Sequence, residues 1–160
     1  MTKVITAEQL IGVNQAAMDA PRRRSNLNVH ASSEDAIQRL FIATEPDTYI
    51  RPHRHVEQGK WEFFMVLQGE IDLLIFDEAG TLTERHKMTP DNVRAVEVPQ
   101  GTWHTYVVEG VNTLAIEVKH GPYIPTSEED FAVWSPAENT PEAPVFREKL
   151  RTLKIGESLV

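Results

Sequence analysis

The chain has no cysteine in 160 residues. Disulfides, thiolate metal sites and cysteine nucleophiles are therefore excluded, and a reducing compartment is compatible with the composition. Long apolar runs are missing too. The longest, Ile71 to Phe76, is interrupted by Asp72, far short of what spans a bilayer. The first ten residues lack the layout of a secretory signal. A cytoplasmic protein with no membrane partner is expected. There is also no basic surplus: 16 Lys and Arg stand against 24 Asp and Glu, a formal net charge of -8. A phosphate-backbone partner normally requires the opposite balance, so no nucleic acid is expected.

What is present is ordinary for a globular chain: 41% apolar and 25% charged residues, enough for one domain over residues 1–160. Thr6 to Ala17 reads as a short helix with Thr6 as N-cap, Leu10, Val13 and Ala17 at helical spacing, and Pro21 ending it. Arg22 to Asn28 reads as a loop or edge strand. Strands are expected at Gln38–Ala43, Thr48–His55, Trp61–Leu67, Ile71–Phe76, Thr81–Met88, Val93–Val98, His104–Val108 and Val111–Lys119, with turn residues between them. Phe63, Met65, Leu67, Leu73 and Ile75 are the expected core of the central strands. Short strands at this spacing, with no long helix between them, argue for an antiparallel sandwich or barrel built from about residues 28–120. Phe131 to Trp134 is apolar enough to pack back on it. Ala143 to Leu153 reads as a closing helix with Val145, Phe146, Leu150 and Leu153 inward.

The chemistry concentrates in Pro52-His53-Arg54-His55, Glu62, Gly69 and Pro99-Gln100-Gly101-Thr102-Trp103-His104. His53 and His55, one residue apart in an extended segment, point to one side. Glu62 follows on the next strand, and the Pro-x-Gly turn delivers His104. Three imidazoles and a carboxylate suit one divalent transition metal ion: zinc, iron, manganese or nickel. Six residues separate His55 from Glu62, and Glu57 and Gln58 stand in that gap as alternative donors. Tyr49 and Arg51 share a face with His53, Gln68 with Glu62, and Tyr106 with His104. Tyr49, Gln68 and Tyr106 are candidates for lining a substrate cavity, and Arg51 for clamping an anionic substrate or standing at its rim. Arg24 belongs to an arginine run that is either a solvated face or an anion-binding rim. Tyr123 follows Gly121-Pro122 in a loop that could cover the mouth. His30, His86 and His120 read as ordinary surface or core histidines.

His53-x-His55, Glu62 and Gly69, followed by Pro99-x-Gly101-x-x-His104, resemble the two motifs of the cupin superfamily. The His55–Glu62 gap is longer than the family's usual one, and Val108 stands where the second motif often has asparagine. Residues 20–140 further resemble the WbuC family of small cupin-fold metalloproteins. The matching stretches are Arg24 to Asn28, Ile37 to Leu40, the His53 block, Pro99 to His104, Val118 to Tyr123 and Asp130 to Trp134. The resemblance implies an all-β double-stranded β-helix, a jelly-roll barrel flanked by short terminal helices, with a single metal in the barrel. It also implies a link to bacterial surface-polysaccharide synthesis, and it supplies no reaction. Three functions compete. A metal-dependent enzyme would act on a small polar, carbohydrate-derived molecule by isomerase, lyase or dioxygenase chemistry. A metal-loaded module would bind or sense such a ligand without turnover. A metal-free epimerase-like protein would use a barrel histidine as base. A homodimer is the expected assembly.

Overall fold

A computed structural model describes residues 2–160. Helix α1 (Ala7–Asp19) starts as the sequence predicts. The Thr6 side chain accepts from the Gln9 backbone, and the Gln9 side chain accepts from the Thr6 backbone. This reciprocal cap satisfies two otherwise unpaired amides. Val13 and Ala17 pack on Ala43 and Leu114, which fixes α1 to the back of the first sheet.

That sheet runs β1-β2-β8-β3-β6, from β1 (Arg24–Asn28), β2 (Ile37–Thr44), β3 (Glu62–Gln68), β6 (Ala95–Val98) and β8 (Thr113–His120). The second sheet runs β5-β4-β7, from β4 (Ile71–Phe76), β5 (Leu82–Met88) and β7 (Trp103–Val108). Every pairing between these strands is antiparallel. His53 adds a bridge to His104 on the free side of β7, so the segment before β3 edges the second sheet. From β2 to β8 the chain winds through both sheets in the Greek-key order of a jelly roll. The fold is the all-β cupin double-stranded β-helix with short terminal helices.

Between the sheets lie Phe64, Val66, Ile71, Leu73, Met88, Val98, Tyr106 and Val108. The second sheet is covered on its outer side as well. Leu74, Phe76, Trp103 and Val107 pack there against Phe146 and Leu150 of α2 (Glu142–Thr152), with Trp134 alongside. Burial on both faces explains why β4 is apolar on both faces apart from Asp72, where an exposed outer face would have imposed alternation.

Three local expectations are corrected. Thr48–His55 is not a paired strand. Pro52 has no N–H to give a ladder, and only His53 makes bridges, to His104 and Phe131. On β3 the inward residues are Glu62, Phe64 and Val66, whereas Phe63 and Met65 are half-buried and Leu67 is 40% exposed. The pleat points Glu62 inward, so its odd-numbered neighbours face out. On α2 the inward row is Ala143, Phe146 and Leu150, with Val145 62% exposed. Between β3 and β4, Gly69 has φ +80 and passes so close to Thr113 that a Cβ would lie 2.2 Å from its hydroxyl. Both its conformation and the space at this turn require glycine.

Candidate metal centre

His53, His55, Glu62 and His104 meet at one end of the barrel. One donor atom from each lies within 4.8 Å of the others. Glu62 is the first residue of β3, paired with Lys119 of β8 and Val98 of β6. His104 stands on β7 opposite Ile75. Reciprocal backbone bonds between His53 and His104 (3.0 and 2.9 Å) hold the two histidine segments together. The six residues between His55 and Glu62 form a loop in which Gly59 has φ +76. Gln100 clasps that loop: its amide donates to the Val56 carbonyl (2.7 Å), and its carbonyl oxygen accepts from Gly59 N (3.0 Å). Gly101 N donates to His55 O at 2.8 Å. The Pro99–Gly101 turn therefore anchors the His55 loop as well as delivering His104.

The imidazoles are oriented from behind. His53 Nδ1 lies 2.9 Å from Arg51 O, and His104 Nδ1 lies 2.9 Å from Thr102 O. Carbonyls accept only, so both rings carry a proton on Nδ1 and turn Nε2 inward, the nitrogen that would ligate a metal once the His104 proton shared with Glu62 is released. Glu62 Oε2 is 3.1 Å from His104 Nε2, and Oε1 is 3.1 Å from His55 Nε2 and 3.2 Å from Lys119 Nζ. Among the described residues His55 Nε2 is buried with no aligned hydrogen-bond partner. Such an atom, next to two oriented imidazoles and a carboxylate, fits a metal ion. These four residues could hold one. Glu57 lines the cavity but lies outside the cluster.

The electrostatics agree with that donor set. Burial, reinforced by neighbouring His104, lowers the His53 imidazole to about 3, so it is neutral and free to ligate. Burial alone would raise Glu62, but the close approach of His104 and His55 and the charge of Lys119 hold it well below the usual carboxylate range. Burial is the largest single influence on His104 and lowers it, but the hydrogen bond and charge of Glu62, with the Thr102 carbonyl and Glu117, together outweigh it, and the net direction is upward.

The cluster opens into a cavity of about 320 Å³, within the usual range for small-molecule sites. Arg24, Tyr106 and Tyr123 line it, whereas Tyr49, Arg51 and Gln68 do not. Tyr49 turns to the outer core beside Phe146, with its hydroxyl donating to Pro136 O at 2.9 Å. Arg51 is held outside the barrel, its guanidinium 4.9 Å from the Phe131 ring and 3.4 Å from Glu128. Both losses follow from the unpaired segment around Pro52, which breaks the strand alternation that put them beside His53. Gln68 is exposed, because a bulge between Val66 and Gln68 breaks the alternation that linked it to Glu62.

Sequence reasoning missed Gln38, Lys60, Glu117, Lys119 and His120, all in the cavity wall. Lys119 Nζ bridges Glu117 (2.7 Å) and Glu62 (3.2 Å). Burial opposes its charge, but the two carboxylates outweigh this and raise its pKa. Burial and the negative Glu62 push Glu117 up. A signal was available: Glu117 and Lys119 put two charges on one face of an otherwise apolar strand.

No helix among the described residues is long and apolar enough to cross a membrane. No curated protein matches the chain. Solved structures with the same fold include KdgF from Halomonas sp., with TM-score 0.51, 17% identity, and coverage of 66% of this chain and 84% of that one. The TT1209 protein from Thermus thermophilus gives 0.54 at 17% identity, covering 74% and 97% respectively. CapF, a capsular polysaccharide assembling protein from Staphylococcus aureus, gives 0.54 at 19% identity over 66% of this chain but only 30% of CapF. These likenesses show the fold. A family model described as a domain of unknown function (DUF6016) matches residues 5–88, more than half of the chain, and the protein belongs to that family.

Proposed function

We propose that the protein is a metal-dependent enzyme acting on a small polar, carbohydrate-derived molecule, with proton-transfer chemistry of the isomerase or lyase type. The observation that carries this reading is the company the four donors keep. Glu117, Lys119 and Tyr106 line the same cavity. Glu117 lies outside the donor cluster, and Lys119, an ammonium at neutral pH, has no lone pair to offer. A module that only holds a ligand has no need of buried titratable groups beside it.

A metal in this donor set would polarise a substrate oxygen as a Lewis acid. The residues around it supply the rest. Tyr106 is buried with its hydroxyl unpartnered among the described residues. Burial, with Glu117 nearby, raises its pKa, so it stays a neutral donor toward a bound oxygen. Glu117 is the group to take a proton from carbon and return it. Lys119 holds the two carboxylates together. The capsular role of CapF and the resemblance to WbuC proteins support a place in surface-polysaccharide synthesis.

The test is proton NMR in D₂O of the metal-loaded protein with a panel of aldoses, ketoses and uronates. Conversion or deuterium wash-in on one of them is expected. Glu117→Gln should slow it by about 10²-fold or more with metal content unchanged. Binding with neither exchange nor conversion across the panel would instead support a non-catalytic binding module.

A further inference from the structure

A second cavity, about 450 Å³, adjoins the first and shares Gln38, Leu40, Lys119 and Tyr123 with it. The two chambers differ in chemistry. The inner one holds the metal cluster with Arg24, Lys60, Glu117 and Lys119. The outer one is walled by Asn26, Asn28, Ser32, Ser33 and His30, with Tyr123 between the two. Apart from the shared Lys119, no lysine, arginine or carboxylate among the described residues lines it.

This outer wall exists because β1 extends the first sheet beyond β2. Asn26 and Asn28 alternate onto the exposed face of β1. The Asn26 amide donates to the Asn28 side-chain oxygen at 2.6 Å. Whichever way the two amides are turned, such a pair leaves one carbonyl oxygen and one NH₂ unengaged on the same face. An acceptor beside a donor is the complement of two vicinal hydroxyls.

The opposite rim is built to stay in place. The buried Gln38 amide donates to the carbonyls of Ser32, Ser33 and Asp35 at 3.3, 3.1 and 2.8 Å. Gly121 N donates to Ala36 O, and Tyr123 N to Ser33 O, at 2.8 and 2.7 Å. A Cβ at Gly121 would sit 1.9 Å from Asp35 O, so glycine allows this close stitching. The result presents Tyr123, 54% exposed, as an aromatic face at the junction.

We infer that the outer chamber is a subsite for a neutral polyhydroxylated unit, a second sugar residue attached to the one at the metal. Amides and hydroxyls without charge suit hydroxyl groups, and an exposed ring suits the apolar C–H face of a pyranose. The net charge of -8 disfavours a polyanion. The inference rests on the proposed reading of the inner chamber as the reactive end.

The experiment measures binding of D-glucuronate, cellobiouronate, D-glucose and cellobiose to the metal-loaded protein by saturation-transfer NMR and calorimetry. One disaccharide is expected to bind at least about fivefold more tightly than its monosaccharide, the worth of one net hydrogen bond. The double variant Asn26→Ala, Asn28→Ala should lose that gain and keep both its metal content and its monosaccharide affinity. Disaccharides that bind no more tightly than their monosaccharides, or a gain that survives in the variant, would overturn the subsite and leave the inner-site reading standing. A metal-loaded protein that binds none of the four sugars would also overturn the subsite. A wild-type protein that takes up no metal would overturn the inner-site reading first.

Discussion

The two ends of the barrel interior are built from the same strands and bury opposite things. β3 begins with Glu62 and continues inward with Phe64 and Val66. β7 places His104 at the same end and Val108 at the other. β8, running the other way, passes Ala115 before Glu117 and Lys119. One end is an apolar plug with Leu73 and Met88 fully buried. The other buries His104, Glu62 and Glu117 and half-buries His53, His55 and Lys119. The plug supplies hydrophobic stabilisation, and the polar end spends part of it on desolvation. The pairings at the polar end, Lys119 with two carboxylates and Nδ1 with backbone carbonyls, keep that cost tolerable. The difference teaches that stability and chemistry are separable along a single strand, and that variants at the two ends should fail in different ways.

The largest effect should come from the plug. Leu73→Ala leaves a cavity at a fully buried position and should cost about 2–5 kcal/mol in denaturant unfolding, with metal stoichiometry unchanged in the folded fraction. At the other end, His104→Ala should lose at least about tenfold in metal affinity by competition with a chelator, while the far-ultraviolet spectrum keeps its β character. If either variant produced the other's phenotype, the separation would be wrong.

The pH dependence of the metal-free protein sharpens the contrast. Burial and His104 hold the folded-state His53 near 3, whereas in the unfolded chain it takes up a proton near pH 6.5. Between those values the unfolded state binds more protons, so stability falls as pH drops through the window, by at most about 1.4 kcal/mol per pH unit. Glu62, held low when folded, contributes in the same direction below the usual carboxylate range. His53→Asn should flatten the slope between pH 6.5 and 3 in urea titrations, and an unchanged slope would assign the effect elsewhere. The smallest effect is expected at Tyr106→Phe. Removing an unpartnered buried hydroxyl should change stability by less than about 1 kcal/mol and leave metal content alone, while slowing turnover.

Much of this was legible in the sequence because it rests on local signals. The capped helix, the turn glycines and the two histidine motifs depend on short-range spacing. What was not legible depends on distant chain. Nothing near Tyr49 announces that Phe146 will cover the outer sheet and draw the tyrosine away from the cavity. The phase of β3 was misread because Phe63 and Phe64 are equally apolar, and only the inward demand of Glu62 chooses between them. Gln68 shares parity with Glu62 in sequence, but a bulge breaks it. The two charges of Glu117 and Lys119 on one face of β8 were visible locally, but their place beside Glu62 follows from the pairing of β8 with β3, segments far apart in the chain. The stitching of Ser33 to Tyr123 is likewise a contact between remote loops.

The most direct test of the central claim is elemental analysis of untagged protein purified without added metal, side by side with Glu62→Gln. The account predicts about one equivalent of a divalent transition metal per chain, clearly reduced in the variant, with both proteins folded. A folded wild-type protein that carries no metal and takes up none on reconstitution would contradict it.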